Sequence, residues 1–199
     1  MSETLSYRKL PQTHISATGC YVLEAFTPPQ VSADSAAILA MTDLARVPSA
    51  TIGMDASLKE ANQSMMLRGV RLLLVVGEGG RIVGVVTSVD VLGEKPLMLA
   101  QKRLGTHGDL RVADVMVPVD QMEALRMEDV KRASVGSIVA TLMADGRAHA
   151  LVVGQGADGR QTLQGIFSAT QIARQLGVQI NTHEMARTFA EIEAVIAAA

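Results

Sequence analysis

The chain is predicted to fold as a mixed α/β (α+β) protein of two pseudo-symmetric β-α-β-β-α repeats followed by a C-terminal helix. Three observations carry this reading. Residues 57–77 and 134–154 align without a gap, the periodicities run in the same order in both copies, and the composition suits two small aliphatic cores. Apolar residues make up 48% of the chain but aromatics only 3%, so the cores must be built from Val, Leu, Ile, Ala and Met.

In the aligned blocks, SLKEANQSMMLRGVRLLLVVG lies over SVGSIVATLMADGRAHALVVG. Ser57/Ser134, Met66/Met143, Gly69/Gly146, Val75/Val152, Val76/Val153 and Gly77/Gly154 coincide. After a short insertion around Ala157–Gly159, GVVTSVD (84–90) realigns with GIFSATQ (165–171). Internal repetition of this kind marks one supersecondary unit used twice.

Each copy opens with a short strand, near residues 51–54 and 124–127. Helices follow, with apolar residues at helical spacing: Leu58, Ala61, Met65 and Met66, then Val135, Ile138, Val139, Leu142 and Met143. Ser57 and Ser134 stand at N-cap positions, and Gly69 and Gly146 where the helices stop. LLLVV (72–76) and HALVV (149–153) read as strands buried on both faces. The GEGGR turn leads to a second strand at 82–86, matched by 163–167, and further helices start at Ser88 and Ala169.

Outside the repeats, residues 1–37 form an N-terminal extension with one strand-like run at 20–26, read evenly as a tail or a docked strand. The first repeat is assigned to 38–95 and a linker to 96–110, with Pro96 interrupting the segment 93–108 and helix on both sides. The second repeat covers 111–177, and residues 178–199 form the C-terminal helix. There Asn181 and Glu184 suggest a capping box, and Met185, Phe189, Ile192 and Ile196 an apolar stripe.

Charge and motifs exclude several function classes. With 18 basic against 20 acidic residues, bulk electrostatics and the lack of stacking aromatics argue against nucleic acid. The single cysteine, Cys20, suits a reducing compartment, and the polar N-terminal segment reads as neither a signal peptide nor a lipoprotein leader. No apolar run approaches the length of a membrane span, so a soluble cytoplasmic protein is expected. His14, His107, His149 and His183 have no metal-ligand spacing, and acidic residues show no catalytic pairing. The expectation is no catalysis, no metal and no catalytic cofactor.

The markers DVM (114–116), GVRLLLVVGEGGRIVGVVTSVDV (69–91) and GRAHALVV (146–153) resemble the tandem cystathionine-β-synthase (CBS) pair, or Bateman module, with AMTDL (40–44) a weaker form of the first. The resemblance spans about residues 38–177. It implies two CBS repeats packed through their sheets about a pseudo-twofold axis, with two clefts between them. It also implies a regulatory protein that binds an adenine nucleotide such as AMP, ADP or ATP, and acts as a homodimer on an unknown effector protein.

The family's nucleotide motif is complete at Gly84 to Asp90, with Thr87 and Asp90 as its polar residues. A carboxylate offers two acceptors to a ribose diol, and Thr87 opens a helix that favours a phosphate. Thr-x-x-Asp is equally a capping-box pattern. The second copy, Ser168-Ala169-Thr170-Gln171, lacks the acid. By the family's pattern the Asp90 cleft draws adenine contacts from Leu125, Arg126 and Met127, with Arg147 and Ala148. Arg71 would face the phosphates, and His149 occupies a position often basic, although a core role competes. The second cleft, from Ser49, Ala50 and Val70 with Ser168 and Gln171, is predicted to be weak or empty for want of an acid. A ligand-free dimerisation scaffold is the rival reading.

Overall fold

The computed structural model describes residues 11–18, 20, 29–102, 106–178 and 185–197. The strand-like run beyond Cys20 and the proposed capping pair Asn181 and Glu184 lie outside these residues.

The elements run β1 (Thr42–Asp43), β2 (Thr51–Gly53), α1 (Leu58–Arg68), β3 (Leu72–Val76), β4 (Ile82–Thr87), α2 (Ser88–Leu92) and α3 (Glu94–Lys102). The second half follows as α4 (Val112–Val115), β5 (Val117–Pro118), β6 (Ala124–Arg126), α5 (Met127–Val130), α6 (Val135–Ala144), β7 (His149–Gln155), β8 (Gln161–Ser168), α7 (Ala169–Gln175) and α8 (Met185–Ala197). The repeat found in the sequence is therefore a repeat of structure. Ser57 caps α1 through a reciprocal box with Glu60, and Ser134 accepts from the Ser137 N–H at the start of α6. Gly69 and Gly146 follow these helices at φ 63° and 61°, backbone that a side chain would strain.

Helix lies on both sides of Pro96, α2 before it and most of α3 after it. The proline stands in the first turn of α3, where its missing N–H has no intrahelical partner to lose. α3 continues through Lys102 and packs on α2, placing Ala100 in the core of the first repeat.

Two four-stranded sheets form, ordered β2-β3-β4-β5 and β6-β7-β8-β1. In each, the first pair is parallel and the other two are antiparallel. The outer strands are exchanged. β1 precedes the first repeat yet pairs with β8 of the second (Thr42 beside Ile166), while β5 precedes the second yet pairs with β4 of the first (Val117 beside Val85).

The exchange extends beyond the strands. The Ala37 N–H donates to Ala133 O (2.9 Å), and Gly136 donates back to Ala33 O (2.8 Å). Ala37, Ala40 and Met41 are buried in the core of the second repeat with Val135, Phe167 and Ile172. Reciprocally, Val112 and Ala113 donate to Ala56 O and Met54 O, and Leu110, Val112 and Val115 complete the core of the first repeat. Residues 29–43, assigned from sequence to an extension and the start of the first repeat, thus serve the second. A third apolar cluster, with Leu72, Leu74, Val85 and Leu151 buried, joins the inner faces of the two sheets.

Gly84 and Gly165, matched in the sequence repeat, mark where the exchanged strands arrive. A Cβ on Gly84 would come within 2.6 Å of Val117 O and 3.1 Å of Met116 Sδ. A Cβ on Gly165 would overlap the side chain of Met41, which is flexible where a carbonyl is not. Gly84→Ala is therefore expected to lower stability by about 1–3 kcal/mol, and Gly165→Ala by less. Urea denaturation of the two variants would check this, and equal losses would refute the backbone-contact argument.

Candidate functional site

α7 opens the site. Its buried residues, Ala169, Ile172 and Ala173, face the core of the second repeat, so Thr170, Gln171 and Arg174 at helical spacing share the opposite side. Across from them, the chain leaves α1 at Gly69 and enters β3 through Val70 and Arg71. Between these walls lies a cavity of about 540 Å³. Thr42 of β1, the segment around Leu44 to Ala50, His149 of β7 and Ser168 of β8 close its sides.

The site is basic. Arg71, Arg174 and His149 line it, and no carboxylate stands among its described lining residues. Burial, then the Arg174 guanidinium, lowers the pKa of Arg71, although an arginine stays charged at neutral pH. Arg71 Nη2 donates to Thr170 Oγ1, and Thr42 Oγ1 donates to Gln171 Oε1 at 3.1 Å. His149 is pushed down to about 4 by burial first and by the Arg71 charge second, so it is neutral at pH 7. The exposed Arg174 guanidinium adds to the positive charge at the mouth of the cavity.

The sequence-predicted residues divide between two places. Arg71 and His149 line the cavity, together with Ala50, Val70, Ser168 and Gln171 of the cleft expected to be weak or empty. The cavity lies at that cleft, where arginines and not an acid set the charge. Ser168 makes no capping bond, so its hydroxyl is not committed to the start of α7.

Thr87 and Asp90 are engaged elsewhere. The Thr87 N–H and Oγ1 both donate to Asp90 Oδ2, at 2.9 and 2.6 Å, in a complete capping box at the start of α2. Asp90 Oδ1 faces Lys95 Nζ at 3.5 Å, and that ammonium also donates to Val115 O. The capping alternative is the one realised here.

Leu125 and Met127 are half-buried against the core of the second repeat, while exposed Arg126 pairs with Asp129 at 2.7 Å. Arg147 is exposed, and Ala148 O accepts from the Ala169 N–H. None of these lines the basic cavity. Sequence reasoning missed Thr42, Thr170 and Arg174. The last two were open to discovery from the spacing of α7, but Thr42 was hidden by the strand exchange.

His149 gives the site a pH signature. Its folded pKa is depressed from the ordinary 6.5 to about 4. Stability is therefore full above pH 6.5 and falls as pH drops toward 4, by up to about 3 kcal/mol. His149→Leu, which copies the matching Leu72, is expected to flatten this loss. Urea midpoints at pH 7.5, 6 and 4.5 would test it, and identical pH profiles for variant and wild type would refute it.

Comparison with known proteins agrees with the architecture. The family model "CBS domain" matches residues 40–96. Among solved structures, an uncharacterized conserved protein from Pyrococcus horikoshii aligns with a TM-score of 0.54 at 18% identity, covering 76% of this chain and 99% of that chain. The CBS-pair protein CBSX2 from Arabidopsis thaliana aligns with a TM-score of 0.47 at 23% identity, covering 72% and 94%. A structure of CBSX2 in complex with AMP gives 0.48 at 22%, covering 70% and 93%. No curated protein matches the chain. The family model thus matches the first repeat, and the second half repeats its topology strand for strand.

Proposed function

We propose that the protein is a non-enzymatic regulatory CBS pair that binds an adenine nucleotide of the AMP, ADP or ATP type and signals to a partner protein. The observation that carries this reading is the cavity of about 540 Å³ between the repeats, lined by Arg71, Arg174 and His149, with no acid among its described lining residues. Its size lies within the usual range for small-molecule sites. Its charge suits the phosphates, and Val70, Leu72 and Ile166 supply apolar wall for a base. Among the described residues there is no group of three or more His, Cys, Asp or Glu that could hold a metal, and no helix is long and apolar enough to cross a membrane. A cytoplasmic location is part of the same proposal.

The proposal includes a homodimer. Met66 and Leu67 of α1 and Val89 and Leu92 of α2 are exposed apolar side chains on two helices in contact. In the second repeat, α8 packs on α7 and buries Phe189 and Ile192, so the two halves present different outer faces. Exposed apolar surface of this kind is a common mark of association. A ligand-free scaffold is the second reading, favoured by the capped state of Asp90.

Calorimetry with AMP, ADP and ATP separates the two. Loss of one charge-assisted contact in Arg71→Ala is expected to weaken binding about tenfold or more, whereas Asp90→Ala should bind as wild type does. Sensitivity at Asp90 with indifference at Arg71 would move the site to the other cleft. The absence of binding at millimolar nucleotide would leave the scaffold.

A further inference from the structure

We propose that this cleft selects its ligand by phosphate charge and does not read the ribose hydroxyls, so that a di- or triphosphate group is the recognised part. The inference rests on the nucleotide reading given above and narrows it. It starts from the hydrogen-bonding sense of the arginines, Thr170 and Gln171.

Arg71 and Arg174 can only donate. Thr170 Oγ1 already accepts from Arg71 Nη2, which leaves its own proton to be given elsewhere. Gln171 has one acceptor atom, Oε1, and it takes the Thr42 hydroxyl at 3.1 Å. The remaining polar atom of Gln171 is its amide nitrogen, a donor. At the matching position of the first repeat stands Asp90, which has acceptors alone.

A sugar diol presents two hydroxyl protons and is best read by a carboxylate. A phosphate chain presents only anionic oxygens and is best read by donors. Replacing the acid by Gln171, whose carbonyl oxygen already accepts from Thr42, leaves the wall without a two-oxygen acceptor for a diol. The two guanidinium groups add planar forks suited to phosphate oxygens.

Competition binding to the full chain tests this, with ATP, dATP, AMP, adenosine and inorganic tripolyphosphate as probes. The expected result is dATP within about twofold of ATP, AMP about tenfold weaker, displacement of ATP by tripolyphosphate and no displacement by adenosine. Gln171→Asp is expected to weaken ATP while creating a preference for ATP over dATP. If dATP binds about tenfold or more below ATP in the wild type, or adenosine displaces ATP, selection by phosphate fails while the nucleotide reading stands. Binding of tripolyphosphate with neither ATP nor dATP bound would overturn the nucleotide reading and keep the phosphate one. Failure of every probe would overturn both.

Discussion

The architecture depends on the exchange of leading segments between the two repeats. Each repeat on its own has three strands, and its core lacks residues that only the other repeat's leader supplies. β1 adds the fourth strand to β8, and β5 adds it to β4. Ala37, Ala40 and Met41 fill one core, while Leu110, Val112 and Val115 fill the other. The inter-sheet cluster around Leu74 and Leu151 then joins halves that are already interlocked. Burial of apolar surface drives all three contacts, but the hydrogen-bonded edges set their register.

The same interlocking builds the cleft. Its walls come from β1, from the approach to β3, and from β7, β8 and α7, so no one repeat supplies it. Pseudo-symmetry makes two such places possible, and side chains decide what each becomes. Where the motif is intact, Thr87 and Asp90 satisfy one another and Lys95 adds a counter-charge. Where it has decayed to Ser168 and Gln171, the capping bond is lost and Arg71 reaches across to Thr170. Local satisfaction engages one position, and its absence leaves Ser168 and Gln171 on the wall of the cavity.

Much of the fold was legible because short-range rules govern it. The caps at Ser57 and Ser134, the glycine stops and the β3 and β7 strands follow from periodicity and local hydrogen bonding. The exchanged strands were not legible, since two residues such as Thr42 and Asp43 carry no periodicity of their own. For the site, the motif at 84–90 pointed to two outcomes, and the geometry of Asp90 shows its capping box. Arg71 and His149 were found from their place beside the strands, while Arg174 needed the face of α7.

The reciprocal leaders also bear on how such a chain could be divided. A break between α3 and α4 would not yield two independent domains, because each fragment would carry off the edge its counterpart needs. The halves would have to find each other again to become folded, and the cleft would reappear only in the reunited pair. The natural unit of this fold is the doublet.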